Sequence, residues 1–176
     1  MFALVAAAAS EQDAAIFLTA AFTGLRLGEL VALRWRDVDL DRRVVRVRGT
    51  WSGTELSTPK AGKVRSVPLA PQVTEALVRL PAAAQDALVF AGADGRYLDR
   101  SALRRRYRKA QAAAGLPRLR FHDLRHTFAT TMIGRASIRR VQEWMGHSDL
   151  HSTMRYLHYA PRDDDAQLVA EAFGSG

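Results

Sequence analysis

Only one stretch of this chain is patterned for strands, and it lies among segments patterned for helices. Val44-Val45-Arg46-Val47-Arg48 alternates and is rich in β-branched residues, as are 54–58 and 64–69, which flank the turn Lys60-Ala61-Gly62-Lys63. Period-two alternation suits a pleated, half-buried surface, so a small antiparallel three-stranded sheet is predicted at about 44–69. The rest reads as helix. Ser10, with Asp13 three residues on, caps a helix that carries Ile16, Phe17, Ala20 and Ala21 at helical spacing and breaks at Thr23-Gly24. A short helix is expected from about Arg26 to Leu33, and another begins at Pro71 and places Val73, Leu77 and Leu80 on one side. Ser101 is the expected cap of a helix reaching Ala114 and stopping at Gly115. Further helices are expected over about His122 to Ile133, Ile138 to Met145 and Thr153 to Tyr159. The fold class is α+β, mainly helical.

Composition narrows the function classes. At 176 residues and 48% hydrophobic content, residues 1–176 read as one domain with a sizeable core. There is no cysteine, which excludes a disulfide framework, a thiol nucleophile and cysteine-ligated zinc. Ala14 to Leu25 is uncharged but falls well short of the roughly 20 apolar residues that span a bilayer. The alanine-rich start carries no Lys or Arg before Arg26, unlike a basic secretory leader, and the chain reads as cytoplasmic. The net charge of +8 favours a polyanionic partner. That surplus is concentrated in Arg100, Arg104, Arg105, Arg106, Arg108, Lys109, Arg118, Arg120 and Arg125, with Asp123 the one acid among them. A solvated helix face would explain such a run equally well.

Four segments combine the side chains that phosphodiester chemistry needs. They are Thr23-Gly24-Leu25-Arg26-Leu27-Gly28-Glu29-Leu30, Lys60 in the sheet turn, His122-Asp123-Leu124-Arg125-His126, and Gly146-His147-Ser148 with Tyr156 beyond it. Guanidiniums are planar donor forks that stay charged, so Arg26 and Arg125 could bracket a phosphate and hold the extra charge of a five-coordinate transition state. Imidazoles donate hydrogen bonds and exchange protons near neutral pH, which suits His122 and His147 to proton acceptance and phosphate binding. Lys60 could protonate a leaving alkoxide, and Tyr156 is the candidate nucleophile. Each residue alone has an ordinary reading: Arg26 and Glu29 as a local ion pair, Tyr156 as a core aromatic.

The order and spacing of these segments resemble the tyrosine recombinase (phage integrase) family, specifically its catalytic domain, over about Glu11 to Ala160. The resemblance extends through Thr58-Pro59-Lys60-Ala61-Gly62-Lys63-Val64-Arg65-Ser66-Val67-Pro68-Leu69, His122 to Thr130, and Met145-Gly146-His147-Ser148 with Thr153 to His158. It implies that Arg26, Lys60, His122, Arg125, His147 and Tyr156 form the active site and that Glu29 supports it. It further implies DNA cleavage and rejoining through a 3′-phosphotyrosine, with no cofactor or metal. Double-stranded DNA is the implied partner, gripped along Arg100 to Arg120, with a homo-oligomer, a tetramer at synapsis, as the working assembly. Family members usually carry a separate amino-terminal helical domain, which this sequence does not show, so weak and poorly selective DNA binding is expected. The tail at 162–176, with Leu168, Val169, Ala172 and Phe173 on one stripe, would suit either a neighbouring subunit or its own domain.

Four rival readings share some of these residues. A type IB topoisomerase uses a similar residue set, and an arginine-rich binder would need no nucleophile. Tyr159 lies three positions after Tyr156 on the same predicted helix. The pairs His122 with His126 and His147 with His151 have a spacing that could hold a metal, but neither carries the glutamate of the zinc-protease pattern.

Overall fold

A computed structural model describes residues 1–58, 64–81 and 83–157. The turn with Lys60, Tyr159 and the tail therefore lie outside the described residues. The helices are α1 (Phe2–Ala6), α2 (Glu11–Thr23), α3 (Leu27–Val31), α4 (Pro71–Val78), α5 (Arg100–Ala113), α6 (Asp123–Ile133), α7 (Ile138–Met145) and α8 (His151–Met154), with a 3-10 turn at Trp35–Asp37. The strands are β1 (Val38–Asp39), β2 (Val44–Val47), β3 (Thr50–Trp51), β4 (Leu56–Ser57) and β5 (Arg65–Pro68). Among the described residues no helix is long and apolar enough to cross a membrane.

The sheet corrects the sequence reading in one respect. Its three antiparallel strands run in the order β1-β2-β5, with Val45 opposite both Val38 and Val67. The segment at 54–58 is not its third strand, because β4 pairs with β3 in a separate two-stranded ladder. The short Val38-Asp39 run, too brief to show a period, takes that place instead. Alternation does decide the faces: Val45, Val47 and Val67 are buried.

Local chemistry sets the helix ends. Ser10 accepts the Asp13 backbone N–H at 3.1 Å, and Gly24 ends α2 in the left-handed region at φ +65°. The cap of α5 is Asp99 rather than Ser101: its carboxylate accepts the Ser101 N–H at 2.7 Å, so the helix starts at Arg100. The last predicted helix is shorter than expected, ending at Met154. Helix α2 is the hub, packing against α1, α3, α4, α5 and α6.

Two apolar clusters result. The larger joins α2, the sheet, α4 and α5, with Phe17, Tyr107 and Phe121 in edge-to-face contact. The smaller comprises Phe128, Ala129, Ile133, Val141, Met145 and Tyr156. Helix α6 belongs to both, with Leu124 in the first and Phe128 in the second.

Candidate active site

The site forms where the two clusters meet, at the corner that ends α7. Gly146 turns this corner in the left-handed region at φ +61° and presents the Met145 and Gly146 carbonyls in succession. A Cβ on Gly146 would sit 2.9 Å from the Arg65 guanidinium, so close approach as well as backbone geometry requires glycine. Arg125 donates through Nη2 to the Met145 carbonyl at 2.6 Å and through Nη1 to the Gly24 carbonyl. Arg26 donates through Nη2 to the Gly146 carbonyl at 3.0 Å. Two arginines from distant parts of the chain thus share one side of the molecule, each with N–H donors beyond these contacts.

They are not equivalent. The Arg26 side chain is 37% exposed, whereas Arg125 is only 4% exposed and lies under the corner. Burial first, and then the neighbouring Arg26 charge, pull the Arg125 guanidinium down to about 9, which leaves it cationic at neutral pH.

A buried carboxylate ties the arginines to the sheet. Glu29 is 2% exposed and binds the Arg65 guanidinium through both oxygens, at 2.9 and 2.7 Å. It also accepts the Arg26 Nη1 at 3.1 Å and the Arg26 backbone N–H at 2.8 Å. Burial alone would raise this carboxyl, but the Arg65 hydrogen bonds and charge, with the Arg26 contacts, hold it below the ordinary carboxylate range. Arg65 also donates through Nε to the Trp144 carbonyl at 2.9 Å, joining β5 to α7. Arg65 lies in the sequence motif without an implied role there. Its signal was available, since it lies two positions before buried Val67 and so faces inward, where an arginine needs a partner.

The imidazoles and the phenol gather beside this network. His147 Nδ1 is 2.8 Å from the Thr153 hydroxyl, and Thr153 is fully buried. Burial, and then the charges of Arg125 and Arg26, push His147 down to about 4, so it is neutral at physiological pH. Tyr156 is buried, its ring parallel to His147 at a centroid separation of 6.4 Å. The Tyr156 hydroxyl lies 2.8 Å from His126 Nδ1, a pairing across 30 residues that no local spacing reveals. His122 is exposed at the start of α6, 4.9 Å from the His126 ring centre, and burial, followed by the His126 and Arg125 charges, lowers its proton affinity. Of the residues read from the sequence, Arg26, Glu29, Arg125, His147 and Tyr156 come together here, with His122 at the rim.

The basic run divides by helix face. Arg104, Arg108, Arg118 and Arg120 line a cleft of about 550 Å³ together with His122 and Arg125. Arg105 and Lys109 are exposed on the adjacent face of α5 and are not part of that lining, and Arg100 donates to the Trp51 carbonyl at 3.3 Å. Arg106 is engaged within the protein. Its Nε binds the carboxylate of buried Asp13 at 2.8 Å, anchoring α5 to α2. Tyr107 also reaches the cleft, but burial first and the Asp123 charge second push its phenol up to about 12, which disfavours it as a nucleophile.

The sequence profile described as the phage integrase family matches residues 1–162. The chain belongs to the phage integrase family. It is 36% identical to the tyrosine recombinase XerC of Corynebacterium efficiens over 169 residues, covering 92% of this chain and 49% of that protein. Among solved structures, XerA recombinase superposes with a TM-score of 0.72 at 27% identity, covering 97% of this chain and 60% of that one. The Tn1549 transposon integrase, solved in complex with transposon right end DNA, superposes with a TM-score of 0.68 at 26% identity, covering 92% and 59%. The chain spans about half the length of the curated relatives it matches.

Proposed function

We propose that this chain carries out site-specific DNA recombination by cutting and rejoining strands through a 3′-phosphotyrosine. The observation that carries this reading is the convergence of Arg26 and Arg125 on adjacent carbonyls of one corner, with His147 and Tyr156 beside them. A phosphate placed there meets two fixed guanidiniums, whose charge is matched to a five-coordinate phosphorus more closely than to the ground-state diester. With Nδ1 of His147 on Thr153, Nε2 is the nitrogen left to bind a phosphate oxygen. The Tyr156 Oη attacks phosphorus, the 5′-oxygen leaves and takes a proton from Lys60, and the DNA 3′ end stays esterified to the phenol. The ester keeps the energy of the broken bond, so a 5′-hydroxyl from another strand can attack it and reseal in a new connection. Neither cofactor nor metal is required.

Double-stranded DNA is the partner in this reading, its backbone lying in the cleft of Arg104, Arg108, Arg118 and Arg120, which gives salt-dependent affinity with little sequence information. Exchange between two duplexes requires four cut strands, and each cut occupies one tyrosine, so the working assembly is a homotetramer on DNA. Incubation with a random library of nicked duplexes, in which the cut fragment diffuses away, tests the reading. A covalent adduct stable to denaturation and mapping to Tyr156 is expected, and Tyr156→Phe should lose the adduct while still binding DNA. An adduct on another residue, or DNA binding without any adduct, contradicts the proposal.

A further inference from the structure

We propose that Thr153 is a positioning residue that fixes which ring nitrogen of His147 carries the proton, an assignment that rests on His147 binding a phosphate oxygen in the recombination reading. His147 Nδ1 is 2.8 Å from the Thr153 hydroxyl, and Thr153 is fully buried. Burial, and then the Arg125 and Arg26 charges, keep His147 neutral at physiological pH, so the ring holds one proton and has two tautomers. The two act oppositely on a phosphate. With the proton on Nε2 the ring offers an N–H to an anionic oxygen, whereas with the proton on Nδ1 it turns a lone pair toward that oxygen.

Threonines on the other helices show what sets Thr153 apart. Thr19, Thr23, Thr127 and Thr130 each donate the hydroxyl to the carbonyl four residues back. Among the described residues the Thr153 hydroxyl pairs with His147 instead. A buried hydroxyl that donates to nothing is costly, so Thr153 gives its proton to Nδ1. Nδ1 is then the acceptor, and the imidazole proton sits on Nε2. Were Nδ1–H the donor, the Thr153 proton would need a further acceptor, and among the described residues its hydroxyl has none.

The same residue reaches the nucleophile's segment through its backbone. The Thr153 carbonyl accepts the Tyr156 N–H at 3.0 Å, closing the turn that leads to the phenol. The His147 and Tyr156 rings lie parallel, with centroids 6.4 Å apart. One residue of α8 thus orients the phosphate donor with its side chain and shapes the turn before the nucleophile with its main chain. In this assignment Thr153 touches no reacting atom. Its hydroxyl proton stays in place through cutting and resealing, and Nε2 shares its own proton with the phosphate oxygen without giving it up.

The test uses the full chain. Nitrogen NMR of isotopically labelled histidine, with the His147 signals assigned by their loss in His147→Ala, should show Nε2 protonated and Nδ1 unprotonated at neutral pH. Thr153→Val removes the hydroxyl at nearly constant shape and should lose that preference, while Thr153→Ser should keep it. On the duplex recovered from the nicked library, single-turnover adduct formation by Thr153→Val should be slower than wild type by about tenfold or more, with DNA affinity unchanged. Thr153→Ser should stay within about threefold of wild type. A role confined to packing would slow a His147→Ala chain further when Thr153→Val is added, whereas loss of the tautomer adds nothing once the ring is gone. A wild-type ring protonated on Nδ1 overturns the assignment without any variant, even where Thr153→Val fails to fold. A Thr153→Val rate within about threefold of wild type, a Thr153→Ser rate as low as that of Thr153→Val, or additive losses in the double variant overturn it equally. Wild-type chain that forms no adduct, or an adduct away from Tyr156, instead sinks the recombination reading, and the Thr153 assignment falls with it.

Discussion

The larger and smaller apolar clusters contribute differently to the candidate site. The larger supports Arg26 and Glu29, which Arg65 welds to β5 through two short hydrogen bonds to a buried carboxylate. The smaller carries Tyr156 behind a helix of four residues, and its polar contacts include His147 with Thr153, His126 with Tyr156 and Arg125 with the Met145 carbonyl. Fewer buried apolar neighbours mean a lower free energy of local opening. Under the proposed function Arg26 sits on the more heavily packed half, Arg125 bridges the two halves, and Tyr156 rides on the half with fewer buried apolar neighbours. Under that proposal an in-line attack is served by this division, because the phenol oxygen has to reach phosphorus while the guanidiniums hold still.

The contrast predicts unequal responses to mutation. Arg65→Ala should have the largest effect, because it leaves the Glu29 carboxylate buried without its main partner; a loss of about 3 kcal/mol in urea unfolding is expected. Gly24→Ala acts at the junction, where φ is +65° and a Cβ would lie 2.5 Å from Phe128 Cδ1. About 2 kcal/mol should be lost by the same measurement. A cost near zero for either would mean that the fixed half is softer than its ion pairs imply.

A third effect lies in the lighter half and depends on pH. His147 is lowered to about 4 from an ordinary value of 6.5, so between those values the unfolded chain binds a proton that the folded chain refuses. Stability is therefore fully retained above the ordinary value and falls as pH drops toward 4. An NMR titration of the His147 ring should show its midpoint near 4, and a midpoint near 6.5 would place the ring in water rather than beside two arginines.

Much of this was legible in the sequence where the signal is local. Ser10, Gly24, Pro71 and Gly146 mark the helix ends where caps, a fixed φ or a left-handed turn demand them. The candidate residues could be picked out only as an ensemble, because their order along the chain mirrors the resemblance; the family match over residues 1–162 agrees with the resemblance. What escaped was set by tertiary contact. Nothing near His126 indicates that its ring would meet a tyrosine 30 residues on, and nothing near Thr153 indicates a histidine partner. Arg106 looked like its exposed neighbours until the fold brought buried Asp13 against it. The two-residue strand Val38–Asp39 is too short for alternation to register, so the pattern points instead to 54–58 for the third strand.

The central claim is that one phosphorus centre fits between two arginines from separate stretches of the chain, within reach of Tyr156. A crystal structure of the chain with a nicked duplex and orthovanadate, which adopts five-coordinate geometry, tests it most directly. The expected result is vanadium bonded to the Tyr156 Oη, with its equatorial oxygens held by Arg26, Arg125 and His147. Vanadate bound away from that corner, or bound there with another atom in place of the phenol oxygen, would contradict the account.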